Sequence, residues 1–351
     1  MKAQQLLLHI GHGKTGTTTL QQTFARARQS LLDQGVLFPN LYPNGGNALL
    51  LGYYLFGFRD ADGERQQWLK MDLPQLVEAA RHAWIELQAT VAAETPETIL
   101  ISSELFFRPM SSLAIKSANQ QLEQIAQTTG VVAYLRAPDD LFLSQYQQML
   151  KQFRLADRPS RTFVRDTIAP LTRNWNGPVT LEVFDRRVMH SGDAVTDFLI
   201  RHLPDVDLDS IPRRDDPYNT SLSAEAMSIL YEFSANLRDW KGNKRTLMFE
   251  IAKADRKLPQ PTKPKLRPEV ATNLLNWHAP DLFWLRDEKG ITFPTIDYDA
   301  INPDEIDDVR LRVCRIEDIC DVDPDRRAAL LRRATGRARM PKTVRRWLAK
   351  Y

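Results

Sequence analysis

Between Leu6 and Leu31 the chain runs from an apolar stretch through a glycine-rich turn straight into an amphipathic helix, a junction that few folds can accommodate. Leu6-Leu7-Leu8-His9-Ile10 has the length and composition of a buried strand, and from about Thr17 to Asp33 the residues Leu20, Phe24, Ala27 and Leu31 recur on one helical stripe. Between them lies Gly11-His12-Gly13-Lys14-Thr15-Gly16-Thr17-Thr18-Thr19. Three glycines let the backbone turn tightly and aim N–H groups at an anion. The helix beginning at the same place adds uncapped N–H groups and the positive end of its dipole. Lys14 brings a full charge and the threonines bring hydroxyl donors. A glycine turn with a threonine cap would account for any one of these features, but their coincidence predicts a phosphate or sulfate cradle built from Gly13, Lys14, Thr15, Gly16, Thr17 and Thr18.

The alternation continues downstream. Thr98 to Ile101, Val131 to Leu135 and Val179 to Phe184 read as strands, the first two, like the opening stretch, as buried parallel ones. Helical patterns separate them over Pro74 to Glu94, Ser111 to Thr128 and Asp139 to about Ala156. The expected fold class is α/β: a P-loop-like, doubly wound parallel sheet flanked by helices. From Ser191 onward helical signals dominate, over Ala194 to His202, Ser223 to Trp240, Arg245 to Lys257 and Pro268 to Trp277, which predicts a helical C-terminal half. Pro259 to Lys265 is proline-rich and reads as an extended loop.

A nucleoside triphosphatase loop requires G-x-x-x-x-G-K-[ST], and counting back from Gly13-Lys14-Thr15 puts its first glycine at Leu8, inside the strand. A magnesium-holding Asp is also expected at a later strand end, where this chain has Ser102-Ser103-Glu104. The segment His9 to Gln21, with its Lys14-Thr15-Gly16-Thr17-Thr18 core, instead resembles the 5′-phosphosulfate loop of sulfotransferases that use 3′-phosphoadenosine-5′-phosphosulfate (PAPS), in the bacterial branch that modifies polysaccharides and related glycans. Weaker likeness in the same order runs through Phe184 to Arg187, Gly192-Asp193, Asp197-Phe198-Leu199, Asn219 to Ser223 and Asp281 to Arg286, so the resemblance spans about residues 6–293. Asn219 to Ser223 also reads locally as a helix start capped by Ser223.

The resemblance implies PAPS as sulfuryl donor, with no metal, and an Arg at a strand end plus a Ser on the next helix for the donor's 3′-phosphate. Arg136 and Ser144, eight residues apart, match that motif. On residue chemistry alone Arg136 suits a phosphate but would also serve as a strand-end salt bridge, and Ser144 alone is an ordinary helix residue. Lys14 is the expected cover for the leaving phosphate oxygen. Glu104, ending its strand as Gly11 and Arg136 end theirs, is the first candidate base, against the reading that it caps the next segment or pairs with Arg108. His12, inside the loop, is the rival base. His9 reads as a strand histidine. The acceptor is expected to be a hydroxyl of a glycan or small molecule; Asn44 to Asn47, Tyr53, Tyr54, Phe56, Phe58 and Trp68 would line a sugar site or belong to the core.

The chain divides into a catalytic region 1–296, an acidic segment 297–325 and a basic helical tail 326–351, in which ten Lys or Arg stand without an acid. The tail would contact an anionic membrane or fold back on the acidic segment; nucleic acid is the less expected partner. Two cysteines are too few for a disulfide framework. With no apolar run of about 18 residues and no leader pattern, the expected location is the cytoplasm, with the tail peripheral at the inner face of the membrane. A small-molecule kinase, or a non-catalytic nucleotide-binding protein docking through its tail, are the alternatives.

Overall fold

Among the described residues five segments pair as strands: β1 (Ala3–Gly11), β2 (Val36–Leu37), β3 (Thr98–Ser103), β4 (Ala126–Leu135) and β5 (Val179–Val183). All pairings are parallel, in the order β2-β3-β1-β4-β5. The computed structural model describes residues 1–41, 47–57, 69–155, 164–212, 221–236, 244–259, 263–307 and 315–335. They belong to two compact units. The first comprises Met1–Ala137, Thr162–Asp215 and Phe283–Ile296; the second comprises Pro138–Arg161, Asp216–Leu282 and Asp297–Tyr351.

The first unit is the expected doubly wound α/β sheet. Its central strands β1, β3 and β4 are buried over most of their length, whereas every residue of edge strand β5 is half-buried. From β1 the chain passes to β2 on one side, returns to β3, then crosses β1 to β4, so the winding reverses at β1. Ligands of open sheets collect at the carboxyl ends of strands where the winding reverses. The registers Ile10↔Ser103 and Gly11↔Tyr134 bring the ends of β1, β3 and β4 level, so the Gly11 turn, Glu104 and Arg136 leave the sheet at one edge.

Helix α1 (Thr17–Arg26) begins at that edge. Leu20, Phe24, Ala27 and Leu31 are buried together with Val132, Tyr134, Phe198 and Leu199, as the periodicity predicts. The helix itself is interrupted at Ala27, and Arg28–Leu32 forms a separate short one. Leu73–Glu94 starts at Asp72, which forms a reciprocal capping box with Gln75. One helix boundary is corrected here. The helix anticipated over Ser111 to Thr128 ends at Leu122, because Ala126 to Thr129 pair with β1 and extend β4 toward its amino end. A helix at Val164–Asn174 forms although Pro170 lies inside it.

The second unit is helical: Pro138–Lys151, Ala224–Asn236, Lys244–Asp255, Pro268–Trp277, Ile316–Ile319 and Pro324–Thr335. Tyr146, Phe233, Leu247, Ile251, Leu274 and Leu330 meet in its core. Ser223 caps its helix as expected, accepting the Ala226 N–H at 3.1 Å. The opening of the basic tail is folded into this unit through Arg326 and Arg327. Arg326 bonds Glu225 at 2.8 Å and Asp255 at 2.9 Å, and Arg327 bonds Glu232 at 2.7 Å. The helix there is described as far as Thr335, and the rest of the basic helical tail lies outside the described residues. No helix among the described residues is long and apolar enough to cross a membrane.

Candidate functional site

The turn after β1 is shaped by what its residues cannot be. A Cβ on Gly11 would lie 2.2 Å from Thr17 Oγ1, so only glycine lets the strand end pass so close to the helix start. Gly16, the N-cap of α1, has φ +76°, and Lys14 itself has φ +67°, in the left-handed region where a side chain is strained. No side chain caps α1, which leaves its first turn to other acceptors. Thr17 Oγ1 is buried and has no hydrogen-bond partner among the described residues. A buried hydroxyl left unpaired costs about 1–3 kcal/mol, and an anion seated over the turn would satisfy it. The residues present therefore fit a phosphate or sulfate group.

The hydroxyls do not all play the same part. Thr15 donates its proton to the His12 carbonyl at 2.6 Å and braces the turn, so in this conformation it can offer an anion only its backbone N–H. Thr18 is exposed at the helix start. Below the loop a buried network fixes α1 to β3. Gln21 Nε2 donates to Ser102 O and Oγ at 3.3 and 3.2 Å, and Ser102 Oγ meets His9 Nδ1 at 2.8 Å. Burial, with a smaller push from His202, lowers the His9 pKa to about 3, so this histidine is a neutral strut.

Three charges converge on the loop. Arg136 reaches back from the end of β4 and donates from Nη1 to the Lys14 carbonyl at 3.0 Å, while its guanidinium lies 5.8 Å from the centre of the Phe184 ring. Phe184, just past β5, would also sit 3.0 Å from a Cβ on Gly16, so one aromatic ring supports both the arginine and the turn. Burial draws the Lys14 ammonium below its ordinary value; Glu104 opposes that shift and Arg136 adds to it. Glu104 is exposed on the turn Glu104–Phe106, whose cap is Ser103, accepting the Leu105 N–H at 3.2 Å. Arg108 donates to the Gly57 carbonyl at 3.0 Å. The capping role considered for Glu104 thus belongs to its neighbour.

His12 is buried and stacked on Phe107, ring centres 4.7 Å apart. Its Nδ1 accepts the Arg136 N–H at 3.5 Å, which assigns the proton of a neutral ring to Nε2 and makes that nitrogen a donor. The sheet thus brings Lys14, His12, Glu104 and Arg136 to one edge, with Gly13, Gly16, Thr17 and Thr18 around them. Ser144 is half-buried on the helix Pro138–Lys151 of the second unit. Of the residues considered for a sugar site, Tyr53 and Phe56 are core, and Tyr54 stacks on Trp84 at 5.3 Å. Asn44 to Gly46, Phe58 and Trp68 lie outside the described residues. Residue chemistry did not single out Phe184, Phe107, Ser103 or Gln21 for the site; an aromatic directly after a strand end was the one available signal.

No family model matches the chain, and no curated protein is similar to it. Among solved structures, a protein of Chloroflexus aurantiacus with a provisional kinase designation aligns at 14% identity and a TM-score of 0.32, covering 57% of this chain and 99% of that one. A likeness that distant bears neither on the fold nor on the chemistry.

Proposed function

We propose that this chain is a PAPS-dependent sulfotransferase acting on a hydroxyl, of a glycan in the first instance. The observation that supports it most is the convergence of Lys14 and Arg136 on a short glycine turn holding an unpaired buried hydroxyl, with Glu104 beside them. Two cations and an orphan donor ask for a multiply charged anion, and a carboxylate at the same edge can take a proton. The turn is too short for the triphosphate wrap, which weighs against the kinase reading.

The donor supplies a sulfuryl group carried on a 5′-phosphate. Backbone N–H groups from Gly13 to Thr18 and the Thr17 hydroxyl hold that phosphate. Lys14 neutralises the bridging oxygen as its bond to sulfur breaks and adenosine 3′,5′-bisphosphate departs. Glu104 takes the acceptor proton as the new oxygen–sulfur bond forms. Arg136 is assigned to the 3′-phosphate, and Ser144→Ala tests the serine that the resemblance joins to it.

The deciding measurement is calorimetry with adenosine 3′,5′-bisphosphate and with magnesium-ATP, followed by transfer assays with PAPS. The bisphosphate should bind at least tenfold tighter, and Arg136→Ala should remove that preference. Preferential ATP binding with magnesium-dependent turnover would establish a kinase. Tight bisphosphate binding without sulfuryl transfer to any hydroxyl compound would leave a nucleotide-binding module.

A further inference from the structure

Asn47, one of the residues that would line a sugar site or belong to the core, is bonded to the residue that precedes the candidate base. It precedes the helix Leu49–Phe56 and is held to the end of β3 twice: the Ala48 N–H donates to the Ser102 carbonyl at 2.9 Å, and the Ser103 hydroxyl donates to Asn47 Oδ1 at 2.8 Å. Ser103 Oγ also accepts the Leu105 N–H at 3.2 Å, so this hydroxyl ties Asn47 to the turn that follows β3. The amide therefore presents its oxygen to Ser103 and turns Nδ2, with two N–H donors, the other way. Among the described residues Nδ2 has no partner, and Asn47 is only half-buried.

The platform under this amide is stiff. The helix Leu49–Phe56 presses on the Glu104–Phe106 turn so closely that a Cβ on Gly52 would lie 2.8 Å from Leu105 and 3.0 Å from Phe106. Asn47 and Glu104 are thus carried on two segments fixed to each other, Glu104 immediately following the residue that orients Asn47. A carboxylate satisfies only the proton of a hydroxyl, and an amide nitrogen only its lone pairs. Carried on segments fixed to each other, the two groups suit a molecule bearing neighbouring hydroxyls, with one for each group.

We propose that Asn47 is a specificity-determining residue, donating from Nδ2 to a hydroxyl oxygen of a polyhydroxylated, saccharide-type acceptor while the adjacent, reacting hydroxyl faces Glu104. This rests on the sulfuryl-transfer reading above. The test uses the full chain, PAPS, a panel of neutral and uronic-acid disaccharides, and 4-nitrophenol as an acceptor without a neighbouring hydroxyl. Asn47→Asp keeps the shape and the bond to Ser103 but cannot donate; Asn47→Ala removes both. Each should raise KM for the saccharide about fivefold to tenfold or more, with the Kd for adenosine 3′,5′-bisphosphate unchanged within twofold. In the wild type, the Asn47 side-chain amide resonances, identified by their loss in Asn47→Asp, should shift on titration with the saccharide.

An unchanged KM, unmoved resonances, or a parallel loss of bisphosphate affinity would overturn the assignment, the last by showing a merely structural role. Sulfation of 4-nitrophenol but of no saccharide, or bisphosphate binding with no transfer to the panel, would also overturn it while leaving the donor site standing. Failure to bind the bisphosphate at all would instead remove the reading on which it rests.

Discussion

In the second unit Arg326 lies between the buried Glu225 and Asp255, at 2.8 and 2.9 Å, with Ser223 Oγ at 2.9 Å. In the first unit Lys14 and Arg136, two like charges, are drawn to one turn, with Glu104 exposed beside them. Both arrangements place ionic groups where desolvation is costly, but one sets a cation between two carboxylates and the other sets two cations on one turn. A cation with carboxylates at both sides is compensated in charge, although Arg326 Nε and Nη2 have no hydrogen-bond partner among the described residues. Like charges brought together around a left-handed lysine and an orphan hydroxyl raise the energy of the free protein, and a bound anion would lower it. The difference separates a region organised to stay folded from a region organised to bind.

The comparison is broken most directly at Arg326. Arg326→Ala removes the cation that the buried Glu225 and Asp255 share, and should lower the stability of the second unit by about 3–5 kcal/mol in chemical denaturation. A loss below about 1 kcal/mol would mean that the cluster is no better than a surface ion pair. Removing residues 326–351 should therefore unfold part of the second unit, so a truncation there does not isolate the effect of a tail on membranes.

At Lys14 the expected effects on activity and stability have opposite signs. Lys14→Gly should lower sulfuryl transfer by about 10²–10³-fold. The same change relieves a positive φ and one of two crowded cations, so thermal unfolding should occur at an equal or higher temperature. A variant that lost both activity and stability would show that the lysine is part of the scaffold.

This division was partly legible in the residues. β1, β3, β4, the glycine turn and the helix stripe through Leu31 are all local patterns, and each was placed within a few residues. β2 spans only two residues, too short for any alternation to register. Leu49–Phe56 is apolar on every face, so it carries no helical period, and seven of its eight residues are buried. The internal use of Arg326 could not be read, because its partners lie 101 and 71 positions away and the charge run near it points to the adjacent acids instead. The lock between Ser103 and Asn47 spans 56 positions and depends on which way one hydroxyl proton points. Patterns of period 2 or 3.6 disclose elements; they say nothing about which polar atom is already paired.

Acid sharpens the contrast within the first unit. Burial lowers His9 to about 3 and His202 to about 4, against 6.5 for an ordinary histidine. Below pH 6.5 the unfolded chain binds protons that the folded unit refuses, so stability is fully present above 6.5 and lost as pH falls toward 4. At pH 5 each histidine should cost about 2 kcal/mol. His9→Gln should make the denaturation midpoint of this unit fall less steeply between pH 6.5 and 5. An unaltered slope would mean that His9 titrates normally and is not a neutral strut.

The smallest effect tests the electrostatics of the open site itself. Lys14 must be protonated to cover the leaving oxygen, so kcat/KM should fall on the alkaline side through its lowered pKa, below the ordinary lysine range. Glu104 raises that pKa and Arg136 lowers it. Glu104→Gln should therefore move the residual activity's alkaline limb to lower pH, and Arg136→Gln should move it to higher pH, although both variants are slower. Burial acts on Lys14 in all three proteins, so the displacement between the two variants isolates the neighbouring charges. If both limbs stay where the wild type has them, the three groups do not share one field, and the convergence that supports sulfuryl transfer loses its electrostatic basis.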